Sequence, residues 1–339
     1  MSTADQMRAL SIERAGASFS EIRIPRPVAG AGQALVRIVA SGVNPLDTKV
    51  RAGTAAHARQ PLPAILGMDL AGVVVATGAG VTRFRAGDEV YGMAGGIGGL
   101  QGTLAEFAAV DADLLASKPH NITMREAAAL PLAVITAWEG LVDRAHVGAG
   151  QKVLVHGGAG GVGHVAVQLA RARGAEVFAT VAEEQAGLVE RYGATAIDYR
   201  KLSVDAYVAR FTGGLGFDVV FDTVGGETLD ASFAAVRHYT GHVLSILGWG
   251  THKLAPLSFR AATYSGVFTL LPMLTGAHRA HHGEILTQAS RLVEAGLLLP
   301  RLDACRFNLA TALQAHERVE QGKANGKVVV DVATDPSAA

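Results

Sequence analysis

The chain has 339 residues, 49% of them apolar, and its 30 Lys and Arg balance 30 Asp and Glu, so the formal net charge is zero. That length provides for two domains with sizeable cores, and a neutral chain without basic clusters argues against nucleic acid as the main partner. One cysteine, Cys305, excludes an intrachain disulfide or a multi-cysteine zinc site and fits a reducing cytoplasm. The opening MSTADQMRALSIERAG lacks the apolar core of a signal peptide. The longest uncharged run, residues 261–277, is broken by Gly266, Pro272 and Gly276 and falls short of a membrane span.

To about residue 125 the chain is a series of short β-type runs, among them ALVRIVASGV, AGVVVATG, DEVYGM and TLAEFAAV, divided by glycine and proline. That spacing predicts a small, mostly antiparallel, barrel-like domain. TMREAAALPLAVITAWEGLVDRA then has helical period, with Thr123 and Glu126 forming a capping box and Pro131 breaking or kinking the helix. Beyond it strands alternate with helices: VLVH, EVFATV, TAIDY, DVVFDTV and HVLSILG against VGHVAVQLARARG, AGLVERYG, VDAYVARF and ETLDASFAAVRHY. This alternation predicts a doubly wound parallel sheet with helices on both faces. GVFTLL reads as a further strand, EILTQASRLVEAGLL and LATALQAHERVEQG as two late helices, and GKVVVDV as a last strand. TDPSAA reads as a frayed polar tail.

The most informative run is KVLVHGGAGGVGHVAVQLARARGAEVFAT. It places Gly158, Gly160 and Gly163 of a G-x-G-x-x-G pattern between a strand and an amphipathic helix, with Gly161 and Val162 at the helix entrance. In that setting the first glycine permits a tight turn, the second lets a pyrophosphate approach the backbone, and the third lets helix and strand pack closely. The helix N-terminus then offers unpaired N–H groups and a partial positive charge to phosphate.

Four motifs spread over almost the whole chain resemble one family. They are SGVNPLDTKVRAG (41–53), LGMDLAGVVVATGAGVTRFRAGDEVYG (66–92), HGGAGGVGHVAVQLAR (156–171) and FDVVFDTVGG (217–226). The chain resembles the zinc-independent medium-chain dehydrogenases/reductases of the quinone oxidoreductase, or zeta-crystallin, type. The resemblance implies an α/β fold, a Rossmann doubly wound parallel sheet plus a GroES-like, mostly β catalytic domain. The expected division is 1–125 for the first part of the catalytic domain, 126–272 for the dinucleotide-binding domain and 273–339 for the return to the catalytic domain. It also implies a homodimer or homotetramer, with GVFTLL as the edge to inspect.

Zinc-dependent cousins carry a Cys near Ser41 and a His in a G-H-E motif, whereas this chain reads Gly67-Met68-Asp69. No set of three zinc ligands with an open position is apparent, so no metal is expected. His278, His281 and His282 have a metal-like spacing but read as a solvated surface turn. A metal-free site suits a quinone or an α,β-unsaturated carbonyl, where added hydride leaves charge delocalised onto a distant oxygen. Proximity and one or two neutral donors then suffice.

Asn44 is the first candidate for such a donor by resemblance, and equally a turn residue before Pro45. Lys49 stands where many relatives carry a Tyr and is the second catalytic candidate, with a solvated surface lysine the favoured alternative reading. The resemblance places Thr136 near the nicotinamide amide, Val224 and Gly225 near the ribose, Gly248 near the carboxamide, and Asn325 and Lys327 against the cofactor. Trp249 and Tyr264 are candidates for a flat pocket or for core. The loop after EVFATV decides the cofactor: it carries Glu183 and Glu184 where relatives that prefer NADPH place a base, which favours NADH on chemistry alone. Arg191, Tyr199 or Arg200 can supply a 2′-phosphate site from further along, and NADPH is the expected cofactor, with NADH the alternative. The expectation is a cytoplasmic NAD(P)H-dependent oxidoreductase with no membrane or nucleic-acid partner. The alternatives are an alcohol or aldehyde dehydrogenase of the same superfamily and a non-catalytic NADPH-binding protein.

Overall fold

A computed structural model of the chain describes residues 6–333; the first five residues and the tail TDPSAA lie outside the described residues. The chain divides into two units. The first runs to Leu132 and takes in Leu270–Ala295 and the chain from Pro300 onward; the second comprises Ala133–Thr269 and Gly296–Leu299.

The first unit is built around one long strand, Gln33–Val43, whose residues are nearly all buried. It pairs antiparallel with Asp69–Thr77, with Phe107–Asp111 and with Val328–Asp331, so β-branched and small apolar residues meet on both of its edges. Register matters here, because a slip of one residue would turn the buried face out. Val328 lies opposite Val43, and Asp69 lies opposite Gly42. Three side chains far apart in sequence, on Asn44, Asp69 and Lys327, therefore arrive at the same end of adjacent strands. Gly42 also leaves room for the helix Met124–Ala128: a Cβ there would stand 2.2 Å from the Ala128 carbonyl oxygen. A smaller sheet places Gln6–Ile12 between Ser20–Pro25 and Ala64–Ile65.

The second unit has six parallel strands in the spatial order Thr195–Asp198, Glu176–Val181, Lys152–His156, Val219–Asp222, His242–Ser245 and Thr263–Gly266. The order reverses beside Lys152–His156, the place where doubly wound sheets bind nucleotides. Val153, Leu154 and Val155 have no exposed surface, as expected of a strand covered on both faces. Phe178, Tyr207, Phe217, Leu229 and Phe233 fill one side of this sheet.

Thr123 and Glu126 form the capping box, with the Thr123 N–H donating to Glu126 Oε2 at 2.8 Å. Pro131 opens a new helix, Pro131–Trp138, rather than kinking a continuous one. Two readings need correction. The run GVFTLL is not a strand: Thr263–Gly266 ends at its first residue, and Pro272 seeds the short helix Leu271–Thr275. The histidine cluster is not a surface turn, because the helix Arg279–Glu294 begins before His281 and buries His282 completely. Gly283 disguised this helix. It is needed because a Cβ there would lie 2.5 Å from the Asp113 carbonyl oxygen.

Candidate active site

In the second unit the strand Lys152–His156 leads directly into the glycine turn. The left-handed residue of this turn is Gly157, with φ +70°, so the tight bend sits one position earlier than the motif suggested. Gly158 serves packing: a Cβ there would come within 2.6 Å of Ala179 Cβ on the neighbouring strand. A Cβ on Gly163 would stand 2.1 Å from the Gly157 carbonyl oxygen, so the helix Gly163–Ala172 starts hard against the turn. Gly160 and Gly161 are exposed at the helix N-terminus, with Val162 half-buried beside them. Backbone donors at an exposed helix start, held by glycines that cannot be enlarged, fit a dinucleotide pyrophosphate.

The neighbouring strand ends supply the rest of this face. Asp222 is fully buried and accepts from the N–H groups of Val224 (3.0 Å) and Gly225 (2.9 Å) and from Ser245 Oγ (2.7 Å). It thereby fixes the turn that leaves Val224 half-exposed. Gly248 lies under Tyr264, whose hydroxyl would be 2.3 Å from any Cβ there. Trp249 is largely exposed and meets Phe268 edge to face. Thr136 is buried in the helix Pro131–Trp138.

The loop after Glu176–Val181 is acidic but not unopposed. Glu183 pairs with Lys201 Nζ at 2.7 Å, and Glu184 lies 3.5 Å from the Arg200 guanidinium. The Arg200 guanidinium also lies over the ring of the exposed Tyr199. Two cations and an exposed tyrosine therefore stand beside the acidic loop.

In the first unit the helix Pro45–Ala52 begins at Asn44, which is 1% exposed. The Asp47 carboxylate accepts the Asn44 N–H at 2.8 Å. The Asn44 carboxamide donates from Nδ2 to Asp69 Oδ2 at 2.9 Å and accepts from Lys327 Nζ. Asp69 Oδ1 accepts the Leu132 N–H at 3.1 Å, and Lys327 Nζ also donates to the Val43 carbonyl. Burial pushes the Asp47 carboxyl up to about 7 and that of Asp69 up to about 6. The same burial pushes the Lys327 ammonium down, against the pull of the two acids. Burial is the largest cause for both acids, and Asn44 and Lys327 oppose it at each; Asp69, with Oδ2 4.0 Å from Lys327 Nζ and Oδ1 on the Leu132 N–H, is the acid in direct contact with the ammonium.

Lys49 is not gathered with Asn44; it lies on the exposed side of the same helix. Asn325 is exposed, with its side-chain oxygen on Arg301 and its N–H on Asp303. Met68 is completely buried where a metal-binding His would stand, and among the described residues no group of three His, Cys, Asp or Glu could hold a metal.

The chain matches the alcohol dehydrogenase GroES-like domain over residues 30–120 and the zinc-binding dehydrogenase domain over residues 192–330. It is 31% identical to a quinone oxidoreductase of Pongo abelii, over 92% of each chain. It is 36% identical to a chloroplastic NADPH-dependent alkenal/one oxidoreductase of Arabidopsis thaliana, over 88% of this chain and 72% of the relative. The chain belongs to the zinc-independent quinone oxidoreductase family of medium-chain dehydrogenases/reductases. A solved alcohol dehydrogenase superfamily protein from Novosphingobium aromaticivorans shares 56% identity and a TM-score of 0.94, covering 96% of this chain and all of that one.

This quinone oxidoreductase family member has the fold the motifs implied, a Rossmann sheet and a separate GroES-like unit. Two site residues escaped the sequence reading. Asp222 carries a local signal, an aspartate closing an apolar strand before Val224-Gly225. Asp69 carries only its place in Gly67-Met68-Asp69, opposite the acid of the G-H-E motif, since its partners Asn44, Leu132 and Lys327 lie 25, 63 and 258 positions away (327 minus 69). No helix among the described residues is long and apolar enough to cross a membrane.

Proposed function

We propose that this enzyme reduces a quinone or an α,β-unsaturated carbonyl at the expense of NADPH, without a metal. The observation that carries this reading is the Asn44 carboxamide, whose oxygen is already taken by Lys327, which makes it a neutral donor rather than an acceptor. Nicotinamide, when bound, supplies a hydride to the conjugated carbon. Gly158, Gly160, Gly161, Val162 and Gly163 hold the pyrophosphate, Val224 and Gly225 the ribose, and Thr136 and Gly248 the nicotinamide end. Asn44 donates to the oxygen on which negative charge collects, and its burial keeps water from competing for that charge. Lys49, as an exposed side chain, orients substrate rather than donating a proton to it.

Lys201, Arg200 and Tyr199 receive the 2′-phosphate, with Glu183 and Glu184 pairing the cations when NADH is bound instead. The names of the alkenal/one and quinone relatives support the substrate class. Purified enzyme should consume NADPH in the presence of a simple enone or quinone and not oxidise primary alcohols with NADP. Binding of NADPH without turnover on a panel of both substrate classes would leave a nucleotide-binding protein instead. We also place the protein in the cytoplasm, as its exposed thiol Cys305 suits a reducing compartment. The strand Thr263–Gly266, last in its sheet, is the edge through which it would dimerise, checked by light scattering.

A further inference from the structure

We propose that Asp69 and Lys327 are positioning residues that lock the Asn44 carboxamide in one orientation, so that it meets a ligand only as an N–H donor. The inference rests on the reading of Asn44 as the substrate's donor.

An asparagine amide can turn over at little cost, exchanging its donor and acceptor ends. Here the choice is forced by chemistry. An ammonium has no lone pair to offer and a carboxylate has no hydrogen, so Lys327 can face only Oδ1 and Asp69 only Nδ2. Lys327 Nζ lies 4.0 Å from Asp69 Oδ2, so the two clamping groups also hold each other. Asp69 is itself fixed by the Leu132 N–H on its other oxygen, and Lys327 by the Val43 carbonyl. Asp47 is the remaining ionisable neighbour, and its carboxyl holds the backbone of Asn44 by accepting the N–H. One amide is thus gripped at its backbone, its oxygen and one of its hydrogens, leaving the second Nδ2 hydrogen as the group it can offer.

Packing alone would not call for this arrangement. Removing two carboxyls and an ammonium from water is costly, and apolar side chains of similar size would join the same strands at least as well. The clamp also selects among ligands. A carbonyl or enolate oxygen finds a donor, whereas a group that can only donate must share an amide oxygen that Lys327 already occupies.

The test is a set of double-mutant cycles on the full-length enzyme, with an enone as substrate. Asn44→Ala should lower kcat by about tenfold or more, as loss of an oxyanion donor does. Asp69→Asn should lower kcat in the same direction by about tenfold, with the Kd for NADPH by fluorescence titration changed less than about twofold. Because both act through one amide, Asn44→Ala combined with Asp69→Asn should be within about twofold of Asn44→Ala alone. The wild-type kcat should also fall as pH drops through about 6, and that fall should be absent from Asn44→Ala. Lys327→Met supplies the same cycle if Asp69→Asn does not fold. Losses that multiply in the double variants, or a wild-type kcat in Asp69→Asn, overturn the clamp while leaving Asn44 in place. A wild-type kcat in Asn44→Ala overturns both the donor and its clamp.

Discussion

The ammonium of Lys201 lies 2.7 Å from a carboxylate oxygen of Glu183, joining the ends of two neighbouring parallel strands. Arg200 reaches Glu184 in the same way. An acidic loop that would repel a 2′-phosphate is therefore matched by two cations that would attract one. Removing the cations should weaken NADPH and spare NADH. Lys201→Ala is expected to lower kcat/KM for NADPH relative to NADH by about tenfold, the loss of one charge-assisted hydrogen bond. Glu183→Gln should move the ratio the other way. Equal effects on both cofactors would remove Lys201 from the phosphate site.

The glycine turn gives a prediction about binding alone. Gly163→Ala places a methyl group against backbone, 2.1 Å from the Gly157 carbonyl, where no side chain can yield. The helix start must move away from the turn. Affinity for NADPH should fall by at least about tenfold, since phosphate contacts there depend on backbone position. Gly160→Ala, whose Cβ would meet the same oxygen at 3.2 Å, should bind more tightly than Gly163→Ala. Isothermal titration with both nucleotides reads the difference.

Stability should carry the mark of the buried acids. Asp47 moves from an ordinary 3.8 up to about 7 and Asp69 up to about 6, because burial disfavours their charged forms. The folded protein therefore holds protons that the unfolded chain releases between these values. Stability is greatest below about 4 on this account and falls as pH rises towards about 7. Asp47→Asn, which keeps an oxygen for the Asn44 N–H, should flatten that fall. Urea unfolding at several pH values checks it; an unchanged slope would mean that Asp47 is not the group titrating.

Metal content offers an independent check. With Met68 buried in the place of a ligand, purified active enzyme should hold far less than one zinc per chain. A chelator should leave enone reduction untouched. Zinc near one per chain, lost together with activity, would favour the alcohol dehydrogenase reading.

What could be read from the sequence divides by distance along the chain. The glycine turn was legible because strand, turn and helix are consecutive, and each glycine answers to a neighbour close in sequence or on the next strand. The alternation of strands and helices was legible for the same reason. Lys49 is five positions from Asn44, and the helix that begins after Asn44 turns it to solvent, in line with the reading of a solvated lysine. Tertiary packing hid the rest. Gly283 lowers local helix propensity but is required by the backbone of Asp113, so His282 was misplaced. The apolar run GVFTLL has strand composition, and only Pro272 hinted at a helix start. Asp69 and Lys327 meet through strand pairing, which no local pattern announces.

That pairing also orders events during synthesis. Lys327 leaves the ribosome 284 residues after Val43, the residue whose carbonyl it reaches. The whole of Ala133–Thr269, the main part of the second unit, is made in between. Until Val328–Asp331 is added to the sheet, the nascent first unit contains Asp47 and Asp69 but no ammonium to balance them. Its long strand Gln33–Val43 also lacks a partner along residues 40–43, on the edge where Phe107–Asp111 covers only residues 33–37. A chain stopped shortly before Lys327 would therefore leave Asp69 and the Asn44 oxygen without their ammonium and residues 40–43 without their partner strand.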